Sequence, residues 1–501
     1  MGTVGWSRAG WWVVLGAVGF LAAGACRTGS GAGSVDVLIA GGRVMDPESG
    51  LDAVLNVAVR DGVIVAVTED LPEARDVIDA TDLVVAPGFI DLHAHGQDAE
   101  SNRYQARDGV TTALELETGA YPVDGWYEAR EGRALIHFGA SVSHRSLRRE
   151  AFGAMVARTS GEGMFSLGGV RASDAYVYAA ASEEELRQLT VLMGRGLDQG
   201  GLGFGFGISY TPGVSHEELW RLFGLAADRR APVFIHLRAV EAFRAGGALA
   251  PFQEVVANAA ATGASVHIVH MNSSAGDAAP AALELMRGAR ARGVDITTEA
   301  YPYAASATRI ESVLFDGWVG RSPEAYRRLQ WVETGERLTD ETFRRYRAQG
   351  GWVITHGRSE AMTEWVVSQP DVIAASDGIP FRQGRAHPRG AGTFARILGH
   401  YVRERGVLSL MDALGKMTWL PARRLESVAP QMVAKGRVQV GADADLTLFD
   451  PDRVIDRATY DAPDRYSEGI VHVLVDGTFV VRDETLLDGV APGRAIRGQI
   501  P

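Results

Sequence analysis

Two histidines one residue apart, His93 and His95, close the run VVAPGFIDLHAHGQD, behind an apolar stretch of strand character. In a strand, residues i and i+2 leave the backbone on the same face, so both imidazoles are presented together. Such a pair either binds a metal or is two ordinary neighbours, and the rest of the chain has to decide. Three further positions close similar apolar runs: His236 in APVFIHLR, His270 in ASVHIVHMN and Asp377 in DVIAASDG. A single histidine at a strand end is most often a core residue satisfied by a backbone hydrogen bond. Five such positions in one chain form a constellation, and neutral imidazoles with a carboxylate suit Zn2+ or another divalent ion. An ion of that kind lowers the pKa of a water from about 15.7 toward 7 and polarises a carbonyl. His267 lies three residues before His270, faces the other side of a regular strand, and reads as structural. His356, in WVITHGRSE, also follows a strand-like run and is kept as a residue behind a ligand or facing substrate.

The elements that would position these groups are visible in the patterning. VDVLIAGGRVMDPESG, NVAVRDGVIVAV and DVIDATDLVVAPG are short β-branched runs broken by Gly, Asp and Pro, as in a small antiparallel sheet, and GRVQVGADADLTLFD and VHVLVDGTFVVRDETLL repeat the pattern at the far end. Between them, strands alternate with helical segments such as Ser182 to Gly200 and Ser215 to Arg230. Each of those two opens with serine and glutamate three residues on, the capping-box signature. Alternating β and α elements predict a parallel sheet, with catalytic groups at the carboxyl ends of its strands. The expected fold class is α/β: a (β/α)8 TIM-type barrel over residues 87–430, flanked by a small β-sandwich built from residues 35–86 and 431–501.

Composition sets limits. With 501 residues, 46% apolar and 22% charged, the chain reads as globular. A net charge of −12 argues against nucleic acid, which wants a basic face. Arg8 precedes the apolar segment from Trp11 to Ala23, and LAAGAC ends at Cys26, the one cysteine present. Residues 1–26 therefore read as a lipoprotein-type signal with Cys26 as lipidation site, the alternative being a plain signal cut near Ala25. Residues 27–34, RTGSGAGS, read as a tether. The expected location is the periplasm or cell envelope of a bacterium, at a membrane surface.

Taken together, APGFIDLHAHGQD, GLGFGFGISYTPG, EAYPYAAS, AASDG, HPRGAGTFARILGHYVRE and KGRVQVGADADLTLFDP resemble the amidohydrolase superfamily, and within it the D-aminoacylase, or N-acyl-D-amino-acid deacylase, branch. The resemblance implies a metal-dependent amide hydrolase holding one or two Zn2+ ions, or another divalent metal. Carried over by position, His93 and His95 bind one ion, His236 and His270 the other, and Asp377 serves a metal-activated hydroxide as general base and then acid. Arg389, Tyr301 and Ser306 resemble a carboxylate-binding set for the substrate. Arg238 adds a second positive charge, and Asn272 stands where relatives usually carry lysine. The relatives also place a cysteine on an early strand, and other members use a carboxylated lysine. This chain has lysine only at Lys416 and Lys435. ALELETGAYP offers Glu115 and Glu117 on one strand face instead, two inward carboxylates that need a compensating cation. Glu117 is the first choice for the ligand joining two metals and Glu115 the second. Asp98 is a shifted acidic equivalent or a loop residue; His144 and Arg148 resemble a further segment of the branch without an assigned role. The expected reaction is deacylation of N-acyl-(D-)amino acids, the alternatives being a cyclic-amide or dipeptide hydrolase with the same site, or an inactive ligand-binding lipoprotein.

Overall fold

The computed structural model describes residues 34–152, 175–239 and 247–500; the leader with Cys26 and residues 27–33 of the tether lie outside them. Among the described residues no helix is long and apolar enough to cross a membrane.

Eight parallel strands make the central sheet: Phe89–Asp91, Val110–Ala120, His137–Ser143, Phe204–Gly207, Val233–His236, Val266–Ile268, Ile296–Ala300 and Val372–Ala374. The first and last meet just past their ends, where Ala94 bridges Gly378 and the His95 amide donates to the Gly378 carbonyl at 2.9 Å. The cylinder is thus closed by the HxH segment itself. The strands are short and apolar, as expected where helices cover the outer face. Val110–Ala120 is longer because its register against His137–Ser143 slips between Glu115 and Ala120. Gly119 allows the slip: its φ is +69°, and a Cβ there would stand 2.8 Å from Ser141 O and Ser143 N.

The two helices read from capping patterns form at Glu183–Asp198 and His216–Asp228. Ser182 and Glu185 cap reciprocally. Ser215 accepts the Glu218 amide, but the Glu218 side chain turns inward, to His144 Nε2 at 3.0 Å and to the Arg148 guanidinium. A buried arginine outbids the cap, so half of that box is missing. His144 and Arg148 thereby acquire a role as clamps, since Arg148 also holds the Tyr176 and Ala179 carbonyls.

The flanking sheet has nine strands drawn from both chain ends, joined where Val84–Pro87 pairs antiparallel with Leu446–Phe449. It is mixed, where an antiparallel sheet was expected. Val35–Asp46, Leu51–Arg60 and Val63–Thr68 pair antiparallel in turn, whereas Ala74–Asp79 and Val84–Pro87 both dock parallel to Val35–Asp46. The sheet folds over itself: the Ile64 amide donates to Ala442 O, enclosing a core of Val44, Val57, Val85, Leu446, Leu448 and Leu474.

One element was not anticipated. Between the seventh and eighth barrel strands, Ser306–Arg309, Leu329–Trp331 and Trp352–Thr355 form a three-stranded antiparallel sheet with its own core around Trp331, Phe343 and Tyr346. The strand-like run before His356 belongs to this insertion and not to the barrel.

Candidate metal centre

His93 and His95 follow the first barrel strand, and a buried carboxylate fixes their exit. Asp91 accepts the His93 amide at 3.1 Å and the Ser376 amide at 3.0 Å, tying the ends of the first and last strands together. The His93 ring is fully buried. Its Nδ1 donates to Glu299 Oε1 at 2.5 Å, which points Nε2 at the barrel axis. His95 is held the same way, Nδ1 to Glu115 Oε2 at 2.8 Å.

The two Nε2 atoms are 3.2 Å apart, and Glu117 Oε2 stands 3.0 Å from one and 3.1 Å from the other. Asp377 Oδ1 completes the figure at 3.4 Å from each nitrogen. Four ligands at about 2.0 Å around a tetrahedral zinc lie about 3.3 Å apart. The observed edges, 3.0 to 3.4 Å, fit an ion at the centre. The opposite oxygen of Glu117 faces a second group: Oε1 is 2.6 Å from His236 Nδ1 and 3.8 Å from His270 Nε2, with the two nitrogens 3.1 Å apart. One carboxylate therefore touches both histidine pairs, and among the described residues both groups have metal-site spacing. Nitrogen and carboxylate donors of this kind suit zinc and similar divalent ions.

The electrostatics agree. Burial pushes the Glu117 carboxyl up, but four imidazoles outweigh it and hold it well below its ordinary range. Burial pushes His93 and His95 down; Asp377 and Glu299 around the first and Glu115 beside the second reverse this, raising both well above normal. The acids thus keep protons on the rings in the ion-free protein, and a divalent ion takes the place of those protons. Neither lysine is near: Lys435 pairs with Asp443 and Asp445, and Lys416 donates to Gln369 O. Two of the groups have unusual backbone, His270 at φ +35° and Asp377 at +51°. Left-handed geometry in non-glycine residues persists where the surroundings over-determine it, and it clusters at functional sites.

Arg389 Nη2 lies 2.9 Å from Asp377 Oδ1, and its guanidinium sits 4.6 Å above the Tyr301 ring. The side chain is fully buried, yet none of its three nitrogens makes a well-directed hydrogen bond among the described residues. Asp377 feels burial pushing it up, but Arg389 and the imidazoles hold it below the usual carboxylate range. Asn272 donates to Tyr301 O at 3.0 Å and leaves its buried Oδ1 unpartnered. Ser306 is half-buried at the start of the inserted sheet.

Other expectations are redirected. Arg238 spends its donors on both Glu254 oxygens, at 3.0 and 2.9 Å, and on Val214 O, so it brings no free charge to the cluster. Glu115 backs His95 and does not lie between the pairs. Asp98 caps the helix Ala99–Arg107 and pairs with Arg382. His356 bonds Gln330 Oε1 at 2.8 Å and packs on Tyr460, and burial lowers its pKa to about 4. His267 faces away from the donors, between Thr297 and Glu299.

Glu299 and Asp91 were not foreseen. Glu299 is the second acid, after Asp295, in DITTEAYPY, and only the strand alternation marks its face; its partner lies 206 residues earlier. Tyr210 was also missed. Its ring is 5.0 Å from His236 and its hydroxyl reaches Thr308 Oγ1 at 3.0 Å, joining the fourth strand's loop to the insertion.

A family model described as "Amidohydrolase family" matches residues 76–149 and 179–481. An N-acyl-D-glutamate deacylase of Alcaligenes xylosoxydans xylosoxydans is 30% identical over 92% of this chain and 96% of its own. A D-aminoacylase of the same organism is 28% identical over 92% and 97%. Among solved structures, the N-acyl-D-glutamate deacylase from Bordetella bronchiseptica, complexed with zinc and a phosphonate inhibitor, superposes with a TM-score of 0.76. It shares 28% identity, covering 93% of this chain and all of that one.

Proposed function

The chain belongs to the amidohydrolase family and is a metal-dependent hydrolase of amide bonds; from that premise we propose that it deacylates N-acyl amino acids, releasing a carboxylate and a free amine. The observation that carries the reading is the placement of Asp377, 3.4 Å from both His93 and His95 nitrogens and 2.9 Å from Arg389. An ion held by His93, His95, Glu117, His236 and His270 would supply Lewis acidity, polarising the amide carbonyl and acidifying a water.

The protein's own groups do the rest. Arg389, buried and with undirected donors, offers a bidentate grip for the substrate carboxylate, and the Tyr301 face holds the guanidinium in place. Asp377, kept anionic by Arg389, takes a proton from the attacking water and returns it to the leaving nitrogen, so one carboxylate serves as base and then acid. Preference for D configuration rests on the names of the relatives. The test is a panel of N-acyl-D- and N-acyl-L-amino acids beside hydantoins and dipeptides, with the protein metal-loaded and chelated. Turnover of N-acyl amino acids that chelation abolishes supports the reading. Turnover confined to cyclic amides or dipeptides would transfer the site to another substrate, and an inert, metal-free protein would leave a ligand-binding lipoprotein.

Export and anchoring through Cys26 complete the proposal and rest on the sequence alone. A lipid-bearing Cys26 at the mature N-terminus, read by mass spectrometry and lost in Cys26→Ala, is the expected result; a leader cleaved at Ala25 with an unmodified thiol would overturn it.

A further inference from the structure

Across the mouth from Arg389 stands a cation that the chain leaves unpaired. In the eight-stranded cylinder the third and fourth strands lie opposite the seventh and eighth. Tyr301 and Arg389 follow the seventh and eighth. On the opposite side, the strand His137–Ser143 runs straight into the helix His144–Ala151, which sets Arg145 in that helix's first turn at the carboxyl rim of the barrel. The Arg145 guanidinium is 5.4 Å from the centre of the Tyr210 ring, and that ring is 5.0 Å from His236. One aromatic ring therefore separates Arg145 from the candidate metal centre. Other arginines near the mouth are spent: Arg148 on Glu218, Arg238 on Glu254 and Arg309 on Glu311. Among the described residues no carboxylate lies within ion-pair distance of Arg145, and its buried Nε has no hydrogen-bond partner. The first turn of its helix carries no acid either, so the helix dipole adds to the positive charge. The side chain is half-buried, and a cation kept there without a counter-ion costs stability that an arriving anion would restore.

We propose that Arg145 is a specificity residue for an anionic acyl group, so that the favoured substrate is an amino acid acylated by a dicarboxylic acid, as in an N-succinyl amino acid. The inference rests on the reading that N-acyl amino acids are hydrolysed here. With the amino-acid carboxylate gripped by Arg389, the amide lies over the histidines and the acyl group continues toward the opposite rim. There the Tyr210 ring gives its carbon chain an apolar face, and the Arg145 fork meets its terminal carboxylate. Hydrolysis joins the water oxygen to the acyl carbon, breaks the C–N bond and places a proton on the leaving nitrogen. The products are a free dicarboxylate and the amino acid. The same guanidinium acts against dipeptides, whose terminal ammonium would approach it.

The metal-loaded full chain is assayed on N-acetylalanine, N-succinylalanine, N-acetylglutamate and glycylalanine, each in D and L form. The wild type is expected to show its highest kcat/KM on N-succinylalanine. Arg145→Gln should lower that value by about 10- to 100-fold relative to N-acetylalanine, and Arg145→Lys should keep part of the preference. Succinate should inhibit the wild type more strongly than acetate, with the difference lost in Arg145→Gln. Should Arg145→Gln misfold, as judged by circular dichroism, Arg145→Lys and the two inhibitors carry the test. A wild type indifferent to succinyl against acetyl overturns the proposal, as does an equal loss on both substrates in Arg145→Gln, which would make the residue structural. A loss confined to N-acetylglutamate overturns it too, by moving the second charge to the amino-acid side chain. All three leave the deacylase reading standing; a wild type that hydrolyses no N-acyl amino acid overturns both.

Discussion

The barrel has two clusters of histidine and carboxylate, one at each end, and they solve the same electrostatic problem in opposite ways. At the end where the strands begin, His137 pairs with Asp445 at 3.0 Å, and Lys435 reaches Asp445 at 2.6 Å and Asp443 at 2.9 Å. The Asp476 amide adds another donor to Asp445 at 2.8 Å. That cluster is neutralised from within the chain. At the mouth, Glu115, Glu117, Glu299 and Asp377 are buried; among the described residues Arg389 pairs with Asp377 and Arg130 lies within electrostatic range of Glu115, so four carboxylates face two permanent cations. The residue types hardly differ; the presence of lysine does. A cluster that brings its own cation is structural, whereas one left short of positive charge is built to receive it.

The largest effect that should follow from this difference is on turnover. Asp377→Asn is expected to cut kcat by about 10²- to 10⁴-fold, with metal content largely kept by the histidines. A variant of near-normal activity would remove the mouth's acid from the reaction. At the other end, Lys435→Met should leave the buried Asp445 without its lysine and destabilise the fold by about 3–5 kcal/mol, read by denaturant unfolding. Metal equivalents per folded chain should not change, and a loss of bound ion would break the contrast. Chelation reverses the pattern: at a free-ion concentration of 100 times Kd, the ion contributes about 2.7 kcal/mol of stability, so stripping it should lower Tm in the wild type. The smallest expected effect is at the edge of the mouth. Arg238→Ala should change KM by less than about threefold, because its guanidinium is already paired with Glu254 and such part-exposed pairs are worth about 1 kcal/mol or less; a large rise in KM would return Arg238 to the substrate.

The lower cluster also carries a pH signature. Burial pushes Asp445 up, but His137 and Lys435 outweigh it and hold its pKa far below the ordinary value. The folded state is therefore stabilised above the unfolded pKa of about 4, and that contribution is lost as pH falls below it. Lys435→Met should flatten the acid limb of stability, measurable by unfolding between pH 3 and 7.

Much of the mouth was legible because strands end in recognisable ways. Period-two alternation put Glu115 and Glu117 on one face, and apolar runs ending in His or Asp marked His93, His236, His270 and Asp377 as neighbours at one rim. What could not be read was pairing across the barrel. WVIT before His356 and VFIH before His236 look alike as strings, yet Trp352–Thr355 pairs antiparallel within the insertion and Val233–His236 pairs parallel within the cylinder. The choice between Glu115 and Glu117 needed side-chain distances, since both share a face and a slip near Gly119 sets which one reaches the axis. The pairing of Arg238 was hidden for a similar reason: its partner Glu254 sits on a helix whose packing no local pattern encodes.

The flanking sheet has a bearing on when this molecule comes together. Val84–Pro87 finds a partner in Leu446–Phe449, so the sheet stays open while everything between them emerges from the ribosome. Long-range pairing of this kind is slow and late. The nascent chain can form its helices early, yet the two halves of the sheet meet after almost the whole polypeptide has been made, and until then the edge of Val84–Pro87 is available to any other strand.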